Sequence, residues 1–396
     1  MRIVKIATYY KEALNFYYSL HPQITKKSYK EQLRDLLYFR LGWSDYYQKA
    51  FNRRGFEAYE IIANAIPLQK QWAREHNLEY DFYNVVLEQL KEISPEIIWF
   101  QNSFIFPKDF IEYIRKNLKV KLIIGNLCSP YTDDFLRHLS VYDFITTCAP
   151  NFVQALEAVQ IDSILLYHAF DTELLDQISV SDDKKYQVLF IGSLISEEGY
   201  HVQRIKFLQY IVDKGLNPII FAYVPEASFI SYIKKFSLYF FSRIAKKIGF
   251  DNHLIRKGLS ITSMPKLNFL SPKLRKFIKS PVFGVPMFEM IGKSIITLNR
   301  HGDIQKLAAN MRMFEATGMG SLLLTENFPN ITDLFIPEKE IVVYNSVQEA
   351  VEKINYLLEN PQVARKIAKA GQNKTLREHN YDNRVKLLIN AFEKYF

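Results

Sequence analysis

A chain of 396 residues is longer than one hydrophobic core usually serves, so two domains of under 200 residues each are expected. Its 48% hydrophobic and 23% charged residues are those of an ordinary globular protein, and no run of about 18 apolar residues marks a membrane span. The formal charge of +9 is local: between Glu226 and Ser280 nine Lys and three Arg stand against Glu226 and Asp251, leaving a net −1 for the rest, so any anionic partner is expected at that segment.

The first residues hold an apolar run broken by Lys5, without a signal-peptide core or a small-residue cleavage site, and the expected location is the cytoplasm. Residues 3–8 read as a first buried strand, followed by a long irregular and helical stretch through Tyr17, His21 and residues 29–42. Strands are expected over 56–65, 96–100, 120–125, 144–148 and 163–167, with helices over 81–93 and 108–117. Cys128 and Cys148, the only cysteines, fall at neighbouring strand ends; they are too few for a disulfide scaffold and fit a reducing compartment. The polar run 179–185 predicts a linker between a domain of residues 1–178 and a second of 186–375. The second opens with a strand over 187–191 ending in Gly192-Ser193, a helix over about 199–214 and a strand over 218–223. Later strands are expected over 295–298, 322–325 and 341–344, and helices over 347–359 and 361–371. Alternation of this kind implies α/β architecture, with parallel sheets covered on both faces.

The stretch Asn310-Met-Arg-Met-Phe-Glu-Ala-Thr-Gly-Met-Gly-Ser-Leu-Leu-Leu-Thr325 reads as a ligand-binding corner. Asn310 is a candidate N-cap, residues 311–317 make two helical turns, and Gly318 and Gly320 stop the helix before a strand. Arg312 and Glu315 share a face. A guanidinium suits a diphosphate, a carboxylate suits a pair of sugar hydroxyls, and the helix start adds free N–H groups. The same spacing equally suits an i,i+3 ion pair. There is no Gly-x-Gly-x-x-Gly after the first strand and no P-loop, which removes the main support for dinucleotide oxidoreductases and P-loop NTPases. Without His-Glu-x-x-His or paired Cys-x-x-Cys motifs, no metal site is indicated.

Ser294-Ile-Ile-Thr-Leu-Asn-Arg-His301, Ala309-Asn-Met-Arg-Met-Phe-Glu-Ala-Thr-Gly318 and Leu322-Leu-Leu-Thr-Glu326 are followed in order by Lys339-Glu-Ile-Val-Val-Tyr344, Ile367-Ala-Lys-Ala-Gly371 and His379-Asn-Tyr-Asp-Asn-Arg384. In this the chain resembles the CgeB-like bacterial glycosyltransferases, strongly over the last hundred or so residues. The resemblance implies a GT-B fold, two Rossmann-like domains facing each other across a cleft, with residues 376–396 crossing back onto the first. It implies donor binding by Gly192, Ser193, Asn299, His301, Asn310, Arg312, Glu315 and Gly318, with Arg312 on the diphosphate and Glu315 on the ribose. Only the second glutamate of the more familiar Glu-x7-Glu arrangement has a counterpart, so the role of the first falls to His301 or Asn310. A block from Phe283 and Gly284 to Met287 also resembles the family, with Pro286 where an acidic residue is expected. No cofactor is implied, because helix ends and cationic side chains can neutralise the leaving diphosphate without a metal.

An inverting transfer needs a base in the first domain, for which His21 and Asp45 are the candidates beside ordinary structural roles; Asn102 and Asn126, after strands, are candidate acceptor contacts. Residues 229–248 place Phe229, Ile233, Phe236, Phe240, Ile244 and Ile248 at helical spacing among lysines. That suits an anionic membrane surface, or packing on the second domain with a solvated basic face. No nucleic-acid motif accompanies the charge. The function implied is transfer of sugar from a nucleotide-sugar to a glycan, lipid-linked or protein acceptor in bacterial surface-glycan synthesis, in the cytoplasm, with the inner face of the membrane as the alternative location if residues 229–248 meet lipid. The rivals are a nucleotide-sugar epimerase or hydrolase, and a non-catalytic membrane-associated assembly protein.

Overall fold

Strands buried on both faces read as nearly unbroken apolar runs, and the chain folds around two sets of them. The computed structural model describes residues 1–178, 184–195, 201–224, 229–261, 264, 270–302 and 307–396, with backbone alone for 229–232. β1 (Arg2–Ala7), β2 (Glu57–Ile62), β3 (Ile97–Phe100), β4 (Leu122–Leu127), β5 (Phe144–Thr147) and β6 (Ser163–Leu165) form a parallel sheet in the order β2-β1-β3-β4-β5-β6. β7 (Tyr186–Ser193), β8 (Ile219–Tyr223), β9 (Ile278–Lys279), β10 (Ser294–Leu298), β11 (Leu322–Glu326) and β12 (Val342–Tyr344) form a second, in the order β12-β11-β10-β7-β8-β9. The winding direction reverses between β1 and β3 in one sheet and between β7 and β10 in the other. Ligands of open α/β sheets bind beyond the carboxyl ends of such strand pairs.

The two lobes are joined side by side at their crossings. Phe170 bridges to Asn380, its N–H donating to His379 O at 2.8 Å. The buried Arg384 donates to the carbonyls of Tyr167 at 2.7 Å and His168 at 3.0 Å. The helix Tyr381–Phe392 then lies on the first lobe. Phe392 stacks on Phe51, Tyr381 packs against Tyr46 and Tyr47, and Arg53 forks onto Asp382 through both carboxylate oxygens. One apolar cluster consequently takes Trp43, Trp99 and Phe144 from the first sheet's side together with Met313, Phe314 and Phe335 from the second's.

Residues 179–183 of the expected linker lie outside the described residues, as do residues 199–200 at the start of one expected helix and residues 226–228, 262–263 and 265–269 of the basic segment. Two expectations need correction. The helix expected over 361–371 runs Pro361–Glu378. Gly371 does not cap it but allows close approach, since a Cβ there would come within 2.2 Å of Glu340 O. β9 was not expected, being only two residues long. Among the described residues no helix is long and apolar enough to cross a membrane.

The crossing also sets an acid limit on stability. Burial, then the neighbouring Arg384, lowers the His168 ring to about 4. Burial likewise lowers His379 to about 4, against the pull of its bond to Leu334 O. Both values lie below the ordinary 6.5, so the unfolded chain binds more protons in between. Their contribution is complete above about pH 6.5 and is lost as pH falls towards 4, by at most about 3 kcal/mol per ring. Urea unfolding at pH 7, 5.5 and 4.5 should show this decline; a level stability across that range would mean the rings protonate without penalty.

Candidate functional site

At the carboxyl end of β10 the chain turns through Asn299, Arg300 and His301, and the helix Met311–Gly318 begins beside it. Asn310 takes the extended N-cap backbone, but its side chain makes no capping bond. Instead its amide pairs reciprocally with that of Asn299, at 2.8 and 3.2 Å, and Asn299 Nδ2 also donates to Thr325 Oγ1 at 3.0 Å. The cap side chain is thus spent on fixing the strand end. Among the described residues the first N–H groups of the helix find no side-chain acceptor, although Met313 N–H donates to Asn310 O at 3.3 Å, and they lie at the positive end of the helix dipole.

Arg312, in the first turn, lies with Nη1 2.8 Å from Glu315 Oε2 and points Nη2 at Met287 Sδ, 3.4 Å away. The i,i+3 pair is therefore formed. Yet the N–H bonds of Nε and Nη1 find no aligned acceptor among the described residues, although both nitrogens are buried. Burial raises the Glu315 carboxyl, with Arg312 opposing. Its charge reaches Tyr46 and Tyr381 at the junction of the lobes, where both hydroxyls also lack a partner among the described residues.

His301 is buried, its ring edge-on to Phe328 at 4.9 Å. Its backbone N–H donates to Glu326 Oε2 at 2.7 Å, and Nδ1 lies 3.2 Å from the same oxygen. Burial lowers the ring's pKa against the pull of Glu326. Glu326 is held below the usual range because His301 and Arg300 outweigh its own burial. An ionised carboxylate only accepts, so the ring proton sits on Nδ1, and Nε2 presents a lone pair that no described residue satisfies. Arg204 completes the corner. Its Nη1 donates to Ser193 O at 2.8 Å and its Nη2 to Arg300 O at 2.7 Å, stapling the end of β7 to the end of β10 across the point where the winding reverses. At Gly192 a Cβ would meet the Phe190 ring at 3.1 Å and Arg204 Nη1 at 3.6 Å.

The remaining candidates scatter. Gly318 sits at the far end of its helix, about 12 Å from the start, where a Cβ would come within 2.3 Å of the Phe170 ring; it permits contact between the lobes. His21 stacks on Tyr17 at 4.9 Å with Nδ1 3.6 Å from Asp35, which also accepts from Tyr17 Oη at 2.6 Å. His21 also packs on Phe39, whose carbonyl accepts the N–H of Val285 from the other lobe. Asp45 is engaged by Arg40 at 2.5 Å and Lys49 at 3.6 Å, in a network that includes Asp171 and Glu173. Asn102 Nδ2 donates to Thr8 Oγ1 at 2.9 Å, linking the loops after β1 and β3. Asn126 has both ends occupied, Nδ2 by Gln101 O and Oδ1 by Thr146 Oγ1, each at 2.9 Å.

Sequence motifs miss Arg204, Arg300, the role of Glu326, and one more cluster. The register pairing Leu127 with Thr147 continues to set Cys128 opposite Cys148, and the two Sγ atoms and a ring nitrogen of His168 lie within 4.8 Å of one another. Trp43 Nε1 donates to His168 Nδ1 at 3.1 Å, so the neutral ring carries its proton on Nε2 and has no lone pair left there for a metal. A hydrogen bond to Cys128, then burial, pushes the Cys148 thiol well up.

Residues 266–390 match a family model described as glycosyl transferase-like. No curated protein sequence matches the chain. Among solved structures, a glycosyltransferase from Rickettsia africae is similar over 100% of this chain and 98% of its own, at 10% identity and TM-score 0.56. HepE of Anabaena, solved with UDP-glucose, is similar over 100% of both chains, at 11% and 0.54. The sucrose-phosphate synthase of Thermosynechococcus elongatus covers 100% of this chain and 98% of its own, at 9% and 0.54. At these identities the likeness is one of fold. The chain has the GT-B fold of α/β class, two six-stranded parallel sheets with interleaved helices.

Proposed function

We propose that the protein is a glycosyltransferase, taking sugar from a nucleotide-sugar held by the second lobe and passing it to an acceptor held by the first. The observation that carries this is the helix Met311–Gly318 beside the winding reversal, its N-cap side chain making no capping bond, with Arg312 in its first turn, whose buried Nε finds no acceptor among the described residues. Backbone N–H groups, helix dipole and guanidinium together favour the diphosphate as charge develops on it. His301 Nε2 accepts a hydrogen bond from a sugar hydroxyl, with Glu326 holding the tautomer. Glu315 holds the ribose once it exchanges Arg312 for the nucleotide. His21, oriented by Asp35, is the base we favour over Asp45, which is already paired. The fold's likeness to a protein solved with UDP-glucose supports a nucleotide-sugar donor. The resemblance to CgeB-like enzymes supports a role in bacterial surface glycans and a cytoplasmic setting.

Calorimetric titration of UDP, GDP, ADP, CMP and TDP into the wild-type protein tests this, with any binder repeated on Glu315→Ala. One nucleotide is expected to bind and to lose at least about tenfold in affinity in the variant, the worth of about 1.4 kcal/mol. A folded protein that binds none of the five would remove the physical basis of the proposal.

A further inference from the structure

The strongest unassigned surface is the helical hairpin formed by the helices Phe229–Lys247 and His253–Leu259. It is a built unit. Gly249, at φ +86, ends the first helix, and Asn252 caps the second through the N–H of Ile255 at 3.0 Å. The helices touch at Gly258, where a Cβ would come within 2.5 Å of both Leu238 O and Ser242 Oγ. Arg243 stacks on Tyr239 at 3.5 Å and donates to Ile261 O at 2.8 Å, closing the base.

This packing uses one face of the first helix, and among the described residues the opposite face is exposed. At 3.6 residues per turn, Ile233, Phe240, Ile244 and Ile248 form one stripe with Phe241 at its edge, opposite the buried Ser242. Phe250 in the turn and Leu254 in the second helix extend it. All seven are 44–67% exposed, where single exposed apolar residues would be unremarkable. Lys234 borders the stripe on one side and Lys247 on the other, with Lys235 and Lys246 further round. The one acidic side chain of residues 229–261, Asp251, is bound by Arg256 at 2.9 Å.

We propose that this hairpin docks the protein on an anionic bilayer surface, the first helix lying in the interfacial plane. The apolar stripe enters the boundary between headgroups and acyl chains, and the flanking lysines stay at the level of the lipid phosphates. An apolar stripe of this width bordered by cations on both sides matches that two-layered chemistry, each cation near the surface adding to the attraction. A partner protein would have to supply an apolar groove rimmed by carboxylates along the whole stripe. The docking stands apart from the transferase reading. Joined to it, docking favours a lipid-linked acceptor over a free one.

Sedimentation of the full chain with vesicles tests the proposal, using neither donor nor acceptor, so that a failure here and a failure of the transferase reading are separate results. Binding is expected to phosphatidylglycerol–phosphatidylethanolamine vesicles in 0.1 M salt and to be at least about tenfold weaker to phosphatidylcholine, which offers no net charge, or in 0.5 M salt, where the Debye length is about twofold shorter. The variant Phe240→Ser/Phe241→Ser/Ile244→Ser should lose at least about tenfold in partitioning, and Lys234→Gln/Lys246→Gln/Lys247→Gln a similar factor on anionic vesicles only. Both variants alter exposed side chains, and an unchanged unfolding midpoint identifies a folded protein. Wild-type protein that stays in the supernatant with anionic vesicles overturns the proposal. So does a wild-type dimer, seen by light scattering, that the serine variant turns into monomer, since the stripe would then face a second copy.

Discussion

Arg312→Ala is expected to lower turnover with the matching nucleotide-sugar by about 10²–10³-fold, the range found when one preorganised donor to a developing charge is removed. The side chain stands in the first turn of a helix whose N-cap side chain makes no capping bond; its Nη1 is ion-paired with Glu315, and its buried Nε finds no acceptor among the described residues. Its loss also leaves Glu315 without its ion partner. That carboxyl is already raised by burial, so it would take up a proton instead of keeping an unpaired charge, which limits the loss of stability at pH 7 to about 4 kcal/mol. Two companions separate chemistry from folding. Arg312→Lys retains the charge but not the planar fork and should recover stability more than turnover. Arg312→Ala/Glu315→Gln removes the stranded acid and should restore the unfolding midpoint while staying inactive. Unchanged turnover in a folded Arg312→Ala protein would sink the assignment.

The largest effect on stability is expected from Lys5→Met, at about 3–5 kcal/mol, the usual outcome of breaking a buried ion pair from one side. Lys5 sits in the middle of β1, directly opposite Glu60 of β2, with Nζ 3.2 Å from the carboxylate and donating to Ser44 O at 3.1 Å. Both side chains are buried, and the ammonium lies 5.7 Å from the Trp43 ring centroid. Burial lowers the pKa of Lys5 and raises that of Glu60, the opposite shifts expected when each charge leaves water, and each partner opposes the other's shift. Replacing both, as Lys5→Met/Glu60→Met, should return to within about 1 kcal/mol of wild type, because two apolar chains of similar length need no partner. Guanidinium unfolding of the three variants decides the matter; a double variant as weak as the single one would show that the Ser44 bond, not the pair, carries the cost.

The alternation of strands and helices was readable because parallel strands leave their mark as apolar runs, such as the wholly buried Leu122–Leu127. The break at Lys5 within the first of these runs misleads only until its partner on the neighbouring strand is known. What the chain order hid were contacts made by folding. Arg204 lies in the helix Val202–Asp213 and has the pattern of an ordinary surface residue, yet it joins two strand ends. Asn310 was legible as a helix start but not as a cap whose side chain is engaged elsewhere. Gly318 and Gly371 resemble helix stops, and the residues they touch, Phe170 and Glu340, are distant in the chain. Asp45, in the run Trp43-Ser-Asp-Tyr-Tyr47, could be read from sequence as a candidate base or as a structural carboxylate, but its pairing with Arg40 could not.

The return of the helix Tyr381–Phe392 to the first lobe has a consequence for biosynthesis. Phe392 and Tyr381 belong to the core around Trp43, Phe51 and Phe144, so the first lobe cannot close that core until residues 381–392 have left the ribosome. At about 5–20 residues per second the wait after β6 is roughly 10–45 s. During it the second lobe, whose six strands all lie within residues 186–344, can assemble its sheet ahead of the one that precedes it in the sequence.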